Sequence, residues 1–347
     1  MTGEIIVIGG GIMGLSIAIE LRLRGMIVTL ISRNVREAAA YAAAGMLAPQ
    51  AEAIPSGPML DLCLRSRALY PEWVGKLETL TGLDTGYWPC GILAPVYDDG
   101  IGELDRSQID HHQDGLGPDV AGGWWFPEDG QVDTESLMRS LQSAAQEIGV
   151  HLQEGVIVQT LRQQAGRVTG LTTSAGEMQA EHYILATGAW SADLVPVPVS
   201  PTKGQMLSLR VPVDYGELPL QKVLFGPATY IVPRRDGRII IGATSEEVGF
   251  TPHNTPAGMQ ALLQRAIRLY PLLQDFPIQE FWWGFRPATP DENPILGPSA
   301  WENLTLATGH YRNGILLAPV TAQMISALVL DQQVDPLLPH FHYDRFS

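Results

Sequence analysis

The sequence predicts an α/β protein of about two domains, and three observations carry that reading. A β-branched run, Glu4 to Ile8, leads straight into Gly9-Gly10-Gly11-Ile12-Met13-Gly14. An apolar helical pattern, Ile12 to Arg24, follows and stops at Gly25, and Ile27 to Ile31 reads as a second strand. The chain has 347 residues, of which 45% are hydrophobic, enough to fill cores and too many for a disordered chain.

Charge and cysteine content exclude several classes. The chain carries 22 basic and 37 acidic residues, a net charge of −15. Such a chain repels phosphate backbones and anionic lipid, so neither nucleic acid nor a membrane surface is an expected partner. Cys63 and Cys90 are its two cysteines. Neither belongs to a paired Cys/His array, so no zinc module, disulfide framework or other metal site is expected. The first residues carry Glu4 and no basic leader, and a cytoplasmic setting is expected. The apolar stretch Ile315 to Leu330 contains Pro319, Thr321, Gln323 and Ser326 and is short for a bilayer span. It reads as a buried helix.

The spacing Gly9-x-Gly11-x-x-Gly14 matches the dinucleotide fingerprint, with a strand before it and a helix after it. Gly9 permits the tight turn, Gly11 lets backbone approach a pyrophosphate, and Gly14 lets helix and strand close up. The positive end of the helix then holds phosphate, which lets an acidic protein bind an anionic cofactor. One position departs from the pattern. Where an acid closes the second strand to bond ribose, this chain has Ser32, followed by Arg33. Serine offers a weaker, uncharged hydrogen bond, and Arg33 is free to meet a phosphate or stack on adenine. On these residues alone NADP is an open reading.

Residues 38–50 are dominated by small side chains, which lets a large flat group lie close to the backbone. Ala38 to Ala42 suit a short helix, whereas Gly45 and Pro49 suit a loop. The run Ala43-Ala44-Gly45-Met46-Leu47 resembles the D-amino-acid oxidase superfamily of FAD enzymes, and among them the glycine oxidases associated with thiamine biosynthesis. Ala186-Thr187-Gly188-Ala189-Trp190 resembles the second nucleotide-contacting turn of these flavoproteins. Tyr230 to Arg234 with Gly242-Ala243-Thr244 resembles their substrate-domain hairpin. Gly284-Phe285-Arg286-Pro287 and the run from Gly309 to Pro319 resemble their two C-terminal signatures. The likeness spans nearly the whole chain in order, and it favours noncovalent FAD over NADP.

The resemblance implies a Rossmann-like FAD-binding domain with an inserted α+β substrate domain built on an antiparallel sheet. It implies a discontinuous FAD domain, residues 1–86, 133–200 and 285–347, and a substrate domain, residues 87–132 and 201–284. The sequence accommodates this. Residues 87–132 read as strands and loops, and Thr134 to Glu147 as a helix with Asp133 or Thr134 as cap. Val150 to Leu152 and Gly155 to Val158 read as returning strands. The proline-rich residues 195–201 mark a crossing, and Met259 to Tyr270 suit one helix among alternating strands.

The same resemblance assigns residues. FAD falls to Gly9, Gly11, Ile12, Met13, Gly14, Ser32, Arg33, Ala43, Ala44, Gly45, Met46, Val156, Thr187, Gly188, Trp190, His310, Arg312, Asn313, Gly314 and Ile315. Arg286, Tyr230 and Arg312 are the catalytic candidates, and they bind substrate together with Met46. Arginine suits a carboxylate because its fork donates two parallel hydrogen bonds. The bland alternative for Arg286 is pairing with an acid such as Asp291, for Tyr230 packing, and for Arg312 a surface salt bridge. His310 is read as a structural histidine, not a base. Trp282 and Trp283 either crowd the pocket or belong to a core or interface. Ser245 stands where an apolar residue is expected, which opens the substrate preference.

The implied reaction is oxidative deamination of glycine, sarcosine and small D-amino acids by hydride transfer to flavin N5. Dioxygen is the acceptor, giving hydrogen peroxide, and the imine yields a 2-oxo acid and ammonia or feeds a thiazole synthase. A homo-oligomer is expected by analogy. The rivals are a sarcosine oxidase, a D-amino-acid dehydrogenase and a non-catalytic FAD-binding subunit.

Overall fold

The computed structural model describes residues 3–97 and 102–346. Its first sheet has six strands, in the order 295–298, 304–308, 182–185, 4–8, 27–32 and 151–154. All neighbours run parallel except the first pair, which is antiparallel. The strand Glu4–Ile8 shows why its apolar run is unbroken. Ile5 and Val7 join a core formed with the helices Ile12–Leu23, Pro58–Thr81, Thr134–Glu147 and Gly314–Asp331. Ile6 and Ile8 point the other way, into a core shared with an antiparallel three-stranded sheet through Leu161, Val168 and Leu171. A strand covered on both faces carries apolar residues at every position rather than at alternate ones.

The second sheet has eight strands, in the order 278–288, 200–210, 238–242, 229–233, 223–226, 92–97, 120–126 and 104–105. It is antiparallel apart from the pair 223–226 and 92–97. Here the alternation is visible. Leu207, Ile231, Ile239 and Ile241 pack under the helix Pro256–Leu269. Met206, Val232 and Ile240 face the opposite way and meet Ala44, Ala48 and Ala51 of the alanine-rich segment. The two sheets thus enclose that segment.

Three expectations need correction. Residues 87–132 contain a helix, Arg106–His112, closed by a capping box between Asp105 and Gln108. Its seven residues bury only Ile109, so no apolar period announces it. Of the segment Gly155 to Val158 only Val158 is strand: Gly155, at φ +80°, turns the chain, and the strands are His151–Glu154 and Val158–Gln164. The helix read as Met259 to Tyr270 begins at Pro256 behind the cap Thr255, an arrangement in which proline loses no bond. The helices Thr134–Glu147 and Gly314–Asp331 occur where the pattern placed them. The latter is apolar and long enough to cross a bilayer by composition, yet 67% of it is buried inside the protein.

Candidate active site

One cavity of about 1700 Å³ runs between the two sheets, from the glycine turn to Arg286. The glycine turn forms one end. Gly9, at φ +118°, donates its N–H to Ile31 at 2.8 Å and so ties the first two strands together. A Cβ at Gly14 would overlap the Gly9 carbonyl oxygen, so that position takes only glycine. A Cβ at Gly11 would stand free of all but Ala38, in the space a bound group needs. The first full helical bond is Leu15 N–H to Gly11 at 3.0 Å, which leaves the N–H groups of Ile12, Met13 and Gly14 outside the ladder. That is an anion cradle at a helix N-terminus.

Ser32 is buried where its side chain meets Gly10. Its carbonyl accepts from Val156 at 3.2 Å, which brings Val156 to the cavity wall beside Thr187 and Gly188. Arg33 lies 4.0 Å over the ring of Trp190 and pairs with Glu37. Its guanidinium is thus stacked within the chain at the cavity edge.

The alanine-rich segment forms the long wall, tied from behind carbonyl by carbonyl. Ala42 accepts from Trp282 Nε1 at 3.1 Å, Ala43 from Thr134 Oγ1 at 3.0 Å and Ala44 from buried Arg234 at 2.7 Å. Gly45, at φ +76°, would overlap the Val132 carbonyl if it carried a Cβ. With its polar groups engaged on the far side, the segment presents small side chains and Met46 to the cavity. Trp282 and Trp283 do not line it. They crowd nothing, and Trp282 serves as the brace for Ala42.

The far end gathers the substrate candidates. Tyr230, Arg286 and Arg312 all line the cavity, and both guanidinium groups act on the Tyr230 hydroxyl. Arg286 donates to the Thr244 carbonyl at 3.1 Å, and glycine at 204 makes its room, since a Cβ there would stand 2.5 Å from the guanidinium. Asp291 pairs with Arg345 at 2.8 Å, which removes it as the partner of Arg286. Tyr230 lies against Gly242, and burial raises its hydroxyl above the ordinary tyrosine range while Arg286 draws it back. Arg312 donates to the Tyr311 hydroxyl at 3.1 Å and makes no salt bridge among the described residues. Burial works against its charge, but Tyr311 and Glu52 outweigh it, so Arg312 stays cationic.

The last helix also opens on the cavity. Asn313 is its N-cap, and its first ladder bond is Leu317 N–H to Asn313 at 2.8 Å, so the N–H groups of Gly314, Ile315 and Leu316 remain outside the ladder. His310 borders the site but is buried, bonds Thr321 at 3.2 Å and is held neutral by burial, its pKa pushed down to about 3. Its ring nitrogen is engaged within the protein.

Of the predicted residues, Gly14 alone does not line the cavity, because its role is to close helix on strand. Sequence reasoning missed Glu52 and Gly204, and it named Arg234 and Thr244 only as members of the hairpin motif, without a role. Glu52 and Gly204 line the cavity, as does Thr244, whereas Arg234 works from behind. Glu52 stands five residues after Leu47, the end of the Ala43–Leu47 motif, and that closeness is the signal that could have marked it.

The residues fit a flavin dinucleotide: two helix N-termini, a glycine turn no side chain could share, and a wall of small side chains between them. Comparison with known proteins agrees. The family model described as FAD dependent oxidoreductase matches residues 4–328. A protein of a Nostoc species named "Bifunctional protein ThiO/ThiG" is 62% identical over 99% of this chain, which spans 55% of that relative's length. The chain therefore covers about half of such a curated relative. A glycine oxidase of Geobacillus kaustophilus is 34% identical over 94% of this chain and 92% of its own. The crystal structure of glycine oxidase from that organism superposes with a TM-score of 0.92 at 33% identity, over 99% of both chains.

Proposed function

The chain belongs to the FAD-dependent oxidoreductase family, and from that premise we propose that it oxidises glycine and other small amines, sarcosine and small D-amino acids among them. The observation that carries this reading is that Arg286 and Arg312 both act on the Tyr230 hydroxyl in the cavity, where Met46 packs against the same cluster as Tyr230. When bound, the flavin takes up two electrons from the substrate and passes them to dioxygen, giving hydrogen peroxide.

The chain's own residues bind and orient. The helix ends at Ile12 and Gly314 would hold negative charge of the bound dinucleotide through their N–H groups. Arg286 offers a planar fork to the substrate carboxylate, and Arg312 and Tyr230 complete it. With the carboxylate fixed, these residues would orient the Cα hydrogen toward the group bound along the alanine-rich segment. Loss of that hydrogen with its electrons leaves an imine, which hydrolyses to a 2-oxo acid and ammonia. Neither Cys63 nor Cys90 lines the cavity, which supports noncovalent cofactor binding.

The names of the half-matching relatives support a place in thiamine synthesis, with a thiazole synthase consuming the imine. We extend the proposal to a homo-oligomer in the cytoplasm, and to a division into an FAD domain (1–86, 133–200, 285–347) and a substrate domain (87–132, 201–284). Oxygen uptake with equal yields of peroxide and glyoxylate from glycine tests the activity. Flavin-loaded protein that consumes no oxygen with glycine, sarcosine or D-alanine would make it a dehydrogenase or a non-catalytic flavoprotein.

A further inference from the structure

Glu52 is the charged group at the substrate end that the reaction as described leaves without a task. It sits in the loop after Met46–Leu47, followed by Ala53 at φ +50°. That loop is anchored from behind. The N–H groups of Gln50 and Ala51 donate to fully buried Asp129 at 3.2 and 2.9 Å, and Arg67 pairs with the same carboxylate. Glu52 faces the cavity alongside Tyr230, Arg286 and Arg312. Among the described residues, no hydrogen bond or ion pair ends on its carboxylate. A carboxylate set opposite two guanidinium groups, touching neither, repeats in reverse the charge pattern of a small zwitterion.

Resting on the amine-oxidation reading, we infer that Glu52 receives the ammonium group of the substrate and takes one proton from it. One N–H bond breaks, its electron pair stays on nitrogen, and the proton moves to a Glu52 oxygen. The products are a neutral amine and a neutral carboxylic acid, and the amine lone pair is what C=N formation requires. Arg286 and Arg312 hold the carboxylate while this happens.

The surroundings suit a proton acceptor working near neutrality. Burial pushes the Glu52 carboxyl up to about 7, against the pull of Arg312 and Arg286 and with help from Asp129. Tyr230 and the buried thiol of Cys63 also feel its charge. Tyr230 and Cys63 titrate well above neutrality, raised by burial, so neither is a rival acceptor.

The test uses flavin-loaded protein, wild type and Glu52→Gln, across a pH series. Two ligands are compared: glycine under anaerobic conditions, read by bleaching of the yellow band, and glycolate, which has the carboxylate and no amine, read by perturbation of the same band. In the wild type, glycine half-saturation tightens as pH rises through about 7 whereas glycolate binding weakens. Glu52→Gln requires roughly tenfold or more glycine at neutral pH, loses that pH dependence, and binds glycolate at least as well as wild type. The gap for glycine closes where the free amine is neutral. Equal loss for both ligands, or an unchanged glycine profile, would overturn the inference. If the variant does not fold, the opposed pH trends of the two ligands in the wild type decide alone. A wild type that no small amine bleaches would instead refute the amine-oxidation reading itself.

Discussion

The hydroxyl of Tyr70 donates at 2.7 Å to the carbonyl of Ile315. That carbonyl is the one Pro319 cannot serve, because proline has no N–H to return four residues back along the helix Gly314–Asp331. Ser66 treats the next carbonyl, Leu316, in the same way at 2.6 Å. Both donors come from the helix Pro58–Thr81. The first turn of the last helix, which borders the flavin site, is thus held in shape by two side chains far away in sequence.

Tyr70→Phe removes that donor and leaves a buried carbonyl unpaired. The expected cost is about 1–3 kcal/mol of stability, with weaker flavin retention because the helix end loses its support. Denaturant unfolding of the flavin-loaded and flavin-free forms measures both effects.

Arg286→Lys keeps the charge and loses the fork. We expect glycine oxidation efficiency to fall about 10- to 100-fold, chiefly through KM. Gly204→Ala acts on the same group from the other side, since its Cβ would stand 2.5 Å from the guanidinium. It raises KM without removing any polar group. Steady-state oxygen uptake distinguishes the two from a general loss of fold.

Gly14→Ala forces a Cβ onto the Gly9 carbonyl, which is backbone and cannot step aside. Overpacking of this kind costs about 1–3 kcal/mol, and here it moves the N–H cradle. The protein is expected to purify with little flavin, as its absorbance ratio reports.

Glu52 also makes stability depend on pH. Its carboxyl is raised from 4.5 to about 7 in the folded protein, so the folded form holds the proton more tightly. A destabilising contribution therefore appears as pH rises from 4.5 and is complete above about 7. Glu52→Gln should melt higher than wild type above neutrality and close to it at acid pH. Paired thermal scans test the sign.

The fingerprint was legible because its chemistry is local. Gly9, Gly11 and Gly14 are close in sequence and act on one turn. The carboxylate end was legible only through the motif around Arg286 and the resemblance it carries. Arg234 and Trp282 were not, because what they do depends on reaching across from the second sheet to the carbonyls of Ala44 and Ala42. Spacing along the chain holds no trace of that. Asp129 and Glu52 were hidden likewise: one buried acid anchors a loop so that a second can face two arginines. The helix Arg106–His112 escaped because a single buried isoleucine sets no period.

The central claim is that the Arg286 end of the cavity presents a small amino acid to the flavin. Mixing the yellow protein with glycine in the absence of air tests it most directly. The flavin band is expected to bleach, and admitting air is expected to restore it. A band that stays unchanged with glycine, in protein that retains its flavin, would contradict the claim.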